Sequence, residues 1–178
     1  MLANSSPVRD WESFADPAAP GRVIHSFRGV SGIDGTLSIA CGLAEVMGRL
    51  VLVCGDLALL HDSNGWLWSS QLQGRLLVVL IDNQGGGIFE QLPIRPRDPA
   101  SLDFERLFAM PQRVDPCALA AAHGVPSREA RRKSELEPAL RWGLAQPLAL
   151  LRVVSDRQAD AAMRRQLRTM AAALITSP

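Results

Sequence analysis

The sequence predicts an α/β domain built on an open, doubly wound, mostly parallel sheet with helices on both faces. Three observations carry that expectation. Apolar runs alternate with helical patterns along the whole chain. Residues 50–54 and 76–81 are nearly continuous Leu, Val and Ile, the signature of strands buried on both sides. Each of these runs ends on a short polar loop, Gly55-Asp56-Leu57 in one case and Asp82-Asn83-Gln84-Gly85-Gly86-Gly87 in the other. Neighbouring parallel strands end on the same edge, and ligands of such sheets bind there. A length of 178 residues with 47% apolar content fits one domain with a sizeable core.

The elements follow in order. Ser6-Pro7 predicts a helix start, with proline at the first helical position and Asp10 and Glu12 in the first turn; the helix ends before Pro17. Residues 22–26 read as a first strand. A glycine-spaced loop follows, Arg28-Gly29-Val30-Ser31-Gly32-Ile33-Asp34-Gly35, and residues 36–47 then read as a helix of small residues closed by Gly48. After the strand at 50–54, residues 57–73 make one or two helices, broken at the capping cluster Asp62-Ser63-Asn64-Gly65. The strand at 76–81 leads into the second glycine loop. Prolines at 93, 96, 99 and 111 predict a long irregular excursion containing a short helix at 103–110. Asp115-Pro116 starts a helix that ends near His123-Gly124. Ser134 and Glu137 form a capping box for a helix at 134–145. A strand at 148–154 and an amphipathic helix at 157–174 close the chain.

Composition excludes several functions. A net charge of +1 offers no footprint for nucleic acid. The basic cluster from Arg128 to Lys133 lacks interleaved aromatics and reads as a solvated helix or loop face. No apolar run approaches the ~20 residues of a membrane span. The three cysteines, Cys41, Cys54 and Cys117, form no Cys-x-x-Cys pair and suit a reducing compartment. The first six residues lack a basic region followed by an apolar core. A cytoplasmic protein is expected.

The chemistry lies in the two strand-end loops. Asp56 and Asn83 stand 27 positions apart, each after a buried strand. Their convergence brings together a carboxylate, an amide oxygen and a carbonyl of the glycine loop. These are hard oxygen donors, too few to enclose an ion. Mg²⁺ suits such a set, because it takes its remaining ligands from water and phosphate. Neither a Gly-x-Gly-x-x-Gly fingerprint nor a Gly-x-x-x-x-Gly-Lys-Ser/Thr loop is present. The histidines, His25, His61 and His123, are isolated, and Trp66 and Trp68 read as packing or interface residues.

This arrangement resembles the diphosphate-binding domain of thiamine-diphosphate enzymes. Three segments are similar to one family among them, the 2-succinyl-5-enolpyruvyl-6-hydroxy-3-cyclohexene-1-carboxylate synthases of menaquinone and phylloquinone biosynthesis. They are Asn4-Ser5-Ser6-Pro7-Val8-Arg9, the loop from Arg28 to Gly35, and Gly85-Gly86-Gly87-Ile88-Phe89-Glu90-Gln91-Leu92-Pro93. The resemblance implies that Asp56, Asn83 and the Gly85 carbonyl hold Mg²⁺ against the diphosphate, with Gly55 and Leu57 bringing backbone close to the phosphates. It implies that Ile33 presses between the two cofactor rings. Ser5, Arg9 and Arg28 would meet substrate carboxylates, and Ile88, Phe89 and Leu92 would wall the substrate cavity. Read without the resemblance, Ile33, Ile88, Phe89 and Leu92 are core residues, and Arg9 and Arg28 are surface arginines in ordinary ion pairs. Three positions depart from the family pattern. Phe27 and Asp82 stand where asparagine is common, and Ala58 stands where a hydroxyl is usual.

The resemblance further implies a chemistry larger than this chain. Family members decarboxylate 2-oxoglutarate and add the resulting carbanion to isochorismate. Their pyrimidine-binding domain supplies the glutamate that activates the cofactor. The expectation is therefore a single diphosphate- and Mg²⁺-binding domain spanning 1–178, the C-terminal fragment of a three-domain enzyme. It is inactive alone, and it is completed by a pyrimidine-binding domain from another subunit of a homo-oligomer. Two other readings stay open. One is a different thiamine-diphosphate enzyme, acetolactate-synthase-like or a decarboxylase, against which Arg9 and Arg28 together argue. The other is a non-catalytic assembly domain.

Overall fold

The computed structural model describes residues 1–19, 21–27, 29, 31–96 and 98–176. Among these residues four parallel strands form one sheet: β1 (Arg49–Gly55), β2 (Arg75–Asp82), β3 (Ser127–Ala130) and β4 (Leu148–Val154), in the spatial order β1-β2-β4-β3. Val53 lies beside Val79, and Val79 beside Leu151, so the three long strands finish on one edge. Among the described residues six α-helices accompany the sheet: α1 (Ser6–Phe14), α2 (Thr36–Met47), α3 (Asp56–His61), α4 (Pro116–Ala122), α5 (Lys133–Ala145) and α6 (Arg157–Thr176).

Alternation along the strands divides the core. Leu52, Cys54, Val78, Leu80 and Leu150 face one side, where α2, α3 and α4 bury Leu37, Ala40, Leu59 and Ala120 together with the fully enclosed Trp66. Leu77, Val79, Ala149 and Leu151 face the other, against Ala139 and Leu140 of α5. Each fully buried leucine contributes about 1.5–3 kcal/mol. The open parallel sheet covered on both faces is the fold class that the strand–helix alternation predicts.

The differences are local. Residues 22–26 form no strand. The place beside β1 is taken by the N-terminal residues, with Ala3 N–H donating to the Val53 carbonyl (2.9 Å) and Val53 N–H to that of Met1 (3.0 Å). The segment at 22–26 lies outside them, tied by one bond from Leu2 N–H to the His25 carbonyl. Within the basic cluster, Arg128 to Ala130 belong to the edge strand β3 rather than to a solvated helix or loop. Only Ala130 of that strand is buried, so it carries no apolar run to betray it. Arg128 lies over the Trp142 ring at 4.5 Å.

Capping differs from expectation at two helices. Asp62 caps α2, its carboxylate accepting from Ser38 N (2.6 Å) and Ser38 Oγ (3.0 Å). At α5 the Glu135 carboxylate, not a Ser134–Glu137 pair, accepts from the N–H groups of Arg131 and Arg132. Gly48 ends α2 in the left-handed region at φ 73°, where glycine carries no Cβ penalty. Among the described residues no helix is long and apolar enough to cross a membrane.

Candidate functional site

A cavity of about 370 Å³ opens at the carboxyl ends of β1 and β2. Asp56 is the first residue of α3, directly after β1, and is buried. Its Oδ1 accepts from Leu57 N–H (2.9 Å) and its Oδ2 from Gly85 N–H (2.6 Å). This second bond joins the two strand-end loops. Burial pushes the Asp56 carboxyl up to about 6. The Asp82 charge adds to the rise, and the backbone donors oppose it.

Asn83 follows β2 and is buried at the cavity wall. Its side-chain amide makes no hydrogen bond with another described residue. Gly85 has φ 124°, a conformation that L side chains rarely adopt. A Cβ there would meet the Ala109 carbonyl oxygen at 2.0 Å. Gly86 N–H donates to that same oxygen at 2.6 Å. The π-helical turn Glu105–Ala109 is thus packed directly on the glycine loop.

The remaining wall comes from the N-terminal region and the turn after the glycine loop. Asn4 Nδ2 donates to the Gly32 carbonyl and Thr36 Oγ1 to that of Ile33, both at 2.8 Å, which fixes the first glycine loop against α1 and α2. Ile33 both lines the cavity and packs on the core, and Phe27 packs on the same core. Ser5, at φ 74°, precedes α1, and its carbonyl accepts from Arg9 Nη1 at 2.8 Å. Ile88 and Phe89 reach the cavity from the 3-10 turn Gly87–Gln91, with Phe89 edge-on to Phe108 at 5.5 Å.

Of the residues singled out from sequence, the cavity gathers Ser5, Arg9, Ile33, Gly55, Asp56, Leu57, Asn83, Gly85, Ile88 and Phe89. Leu92 is not part of the wall. It follows the 3-10 turn and is 44% exposed. Arg28 lies outside the described residues. Ala58 does line the cavity, so no hydroxyl is offered at that point. The charge of Asp82 is answered by Arg152 of β4, whose Nε and Nη2 lie 2.7 and 2.6 Å from Oδ2.

Sequence reading missed three arginines. Arg152, Arg157 and Arg164 sit far from the loops in sequence and belong to no motif. Arg164 grips both oxygens of Asp10 at 2.8 and 2.6 Å, pinning α1 to α6 beside the cavity. Arg157 Nε meets Glu90 at 3.0 Å, and the same side chain reaches the Gln84 carbonyl and Glu105.

Residues 9–153 match the thiamine pyrophosphate enzyme family, C-terminal TPP binding domain. The chain belongs to this family. TPP, also called thiamine diphosphate, is therefore the ligand class of the domain. Among curated proteins, the chain is 61% identical over 171 residues to the 2-succinyl-5-enolpyruvyl-6-hydroxy-3-cyclohexene-1-carboxylate synthase of Synechococcus sp. (strain RCC307); the match covers 94% of this chain and 29% of that protein. The synthase of the same name in Parasynechococcus marenigrum (strain WH8102) is 61% identical over 172 residues, covering 96% and 31%. The one in Prochlorococcus marinus (strain MIT 9313) is 56% identical over 169 residues, covering 94% and 29%. The chain thus spans about 30% of the length of the curated relatives it matches. Among solved structures, benzoylformate decarboxylase from Polynucleobacter necessarius superposes with a TM-score of 0.68 at 21% identity, over 88% of this chain and 30% of that one. At that identity the likeness concerns the fold.

Within this TPP-binding domain, the two strand-end loops bring the Asp56 carboxylate, the Asn83 amide and backbone carbonyls to the cavity. No group of three or more His, Cys, Asp or Glu side chains able to hold a metal occurs among the described residues. A cation bound here by Asp56 and Asn83 needs further oxygens from its ligand and from water, which fits a hard ion carrying a diphosphate. The close-packed glycine loop fits the same group, since it lets backbone approach without side-chain bulk.

Proposed function

We propose that this domain supplies the diphosphate- and Mg²⁺-binding half of the active site of a 2-succinyl-5-enolpyruvyl-6-hydroxy-3-cyclohexene-1-carboxylate synthase. The observation that carries the reading is the cavity at the ends of β1 and β2. There the Asp56 carboxylate and the Asn83 amide line one cavity beside a glycine loop, in a chain 61% identical to synthases of that name. Asp56, Asn83 and the Gly85 carbonyl hold Mg²⁺. Gly55 and Leu57 give the phosphates close backbone, and Ile33 gives the cofactor an apolar contact. Thiamine diphosphate, when bound, supplies an electron sink for decarboxylating a 2-oxo acid.

The chain's own groups do the rest. Arg9 and Arg28 offer planar forks that bind carboxylates bidentately, and Ser5 adds a hydroxyl. Such groups suit 2-oxoglutarate and isochorismate, which both carry carboxylates. Ile88 and Phe89 keep that side of the cavity dry, which strengthens each polar contact within it. The domain works as part of a longer, cytoplasmic enzyme, facing a pyrimidine-binding domain of another subunit in a homo-oligomer, and is inactive alone.

The test complements this chain with the part of the Synechococcus sp. (strain RCC307) relative that it does not cover. Carbon dioxide release from 2-oxoglutarate, with condensation onto isochorismate, is expected only when TPP and Mg²⁺ are present. Release from pyruvate but not from 2-oxoglutarate would point instead to an acetolactate-synthase-like enzyme.

A further inference from the structure

Resting on the diphosphate-site reading, we propose that Arg157 and Arg152 are positioning residues that clamp the two peptide groups flanking Gln84, and so hold Asn83 and Gly85 toward the cavity. Gln84 is the one residue between those two site residues, and it is in the left-handed region at φ 60° although it is not glycine. It is held on both sides. Its N–H donates to Asp82 Oδ1 at 3.2 Å, and Asp82 Oδ2 is gripped by Arg152 at 2.6 and 2.7 Å. Its carbonyl accepts from Arg157 Nη1 at 3.1 Å.

Arg157 joins more than this one peptide. Its Nε meets Glu90 on the turn that carries Ile88 and Phe89, and its Nη2 meets Glu105 on the π-helical turn that packs on Gly85. Glu90 is 5% exposed and Arg157 11%, so the pair is held in a dry setting, where a fixed geometry persists. One guanidinium thus addresses two segments of the cavity wall and the turn packed on one of them. Its five donors in a rigid plane permit this, and an ammonium offers only one nitrogen. The Asp82–Arg152 pair also accounts for the departure at position 82. A carboxylate in that place can be kept because β4 brings an arginine to it.

Arg157→Lys tests the clamp, because it keeps the charge beside Glu90 and Glu105 but cannot bridge Glu90 and the Gln84 carbonyl together. The readouts are amide hydrogen exchange at Gly85 and Gly86, Mg²⁺-dependent TPP titration and unfolding temperature, all in the chain complemented as above. Arg157→Lys is expected to speed exchange at both amides at least tenfold. It should weaken TPP binding by about 10–100-fold, the range for losing a charge-assisted hydrogen bond. Gln84→Gly in the same protein is expected to restore binding to within about threefold, because glycine takes positive φ without strain.

Unchanged exchange with binding within twofold of the parent would overturn the clamp. So would a loss that Gln84→Gly leaves unrepaired and that tracks a fall in unfolding temperature, since Arg157 would then only hold the fold. If Arg157→Lys does not fold, Glu90→Gln/Arg157→Met, which leaves no buried charge unpaired, takes its place with the same expectations. If the parent binds no TPP with Mg²⁺, the site reading fails. Exchange then decides the clamp by itself: acceleration repaired by Gln84→Gly supports it, and unchanged exchange overturns it.

Discussion

Replacing Gly85 with alanine puts a methyl group where the structure has a carbonyl. The added Cβ would lie 2.0 Å from the Ala109 oxygen and 2.9 Å from its carbon. That oxygen cannot retreat freely, because Gly86 N–H is bonded to it at 2.6 Å. The backbone at φ 124° is also one that a side chain adopts only under strain. Strain of this kind costs about 1–3 kcal/mol, and overpacking against a rigid neighbour costs a further ~1–3 kcal/mol. A combined loss of about 4 kcal/mol corresponds to a fall in Tm of roughly 8–16 °C for a chain of this size. Thermal unfolding followed by circular dichroism measures the shift, and TPP titration should show binding lost with it. A Gly85→Ala protein within 2 °C of its parent would refute the close packing of the glycine loop on the π-helical turn.

Other perturbations have equally definite signs. Arg152→Gln leaves the Asp82 side chain, 8% exposed, as an unpaired buried charge, and denaturant unfolding should show a loss of about 3 kcal/mol; adding Asp82→Asn should recover most of it. The Asp56 carboxyl, raised from 3.8 to about 6, is ionised at pH 7.5 and protonated at pH 5. Mg²⁺-dependent TPP affinity should therefore be flat above pH 7 and fall about tenfold per unit below 6. For folding the same shift has the opposite sense: its contribution to stability is full below pH 3.8 and is lost as pH rises through about 6. Asp62→Ala removes the acceptor of Ser38 N and Oγ at the start of α2, which should cost about 1 kcal/mol in the same unfolding assay.

How much could be read beforehand depended on whether a residue's partners were near it in sequence. Asp56 and Asn83 were legible because each closes a continuous buried strand, and parallel strands share an edge. The helix over Thr36–Met47 was legible down to its closing glycine. The edge strand Ser127–Ala130 was not, because an edge strand with one buried residue has no apolar pattern. Residues 22–26 showed a strand's composition, but Met1–Ala3 occupy the edge they would have joined. Leu92 reads with residues 88–91 as one wall in the sequence, whereas the 3-10 turn ends at Gln91 and Leu92 is not among the residues that line this cavity. The arginines 152, 157 and 164 were invisible for a different reason. Their partners Asp82, Gln84, Glu90, Glu105 and Asp10 lie between 52 and 154 positions away, and only the folded chain brings them together.

The most direct test of the central claim is calorimetric titration of TPP, with and without Mg²⁺, into the complemented chain and its Asp56→Ala variant. The account predicts Mg²⁺-dependent heat in the parent that disappears in the variant. Equal heats with and without Mg²⁺, or a variant that binds as tightly as its parent, would contradict Asp56 as the anchor of the metal-diphosphate site.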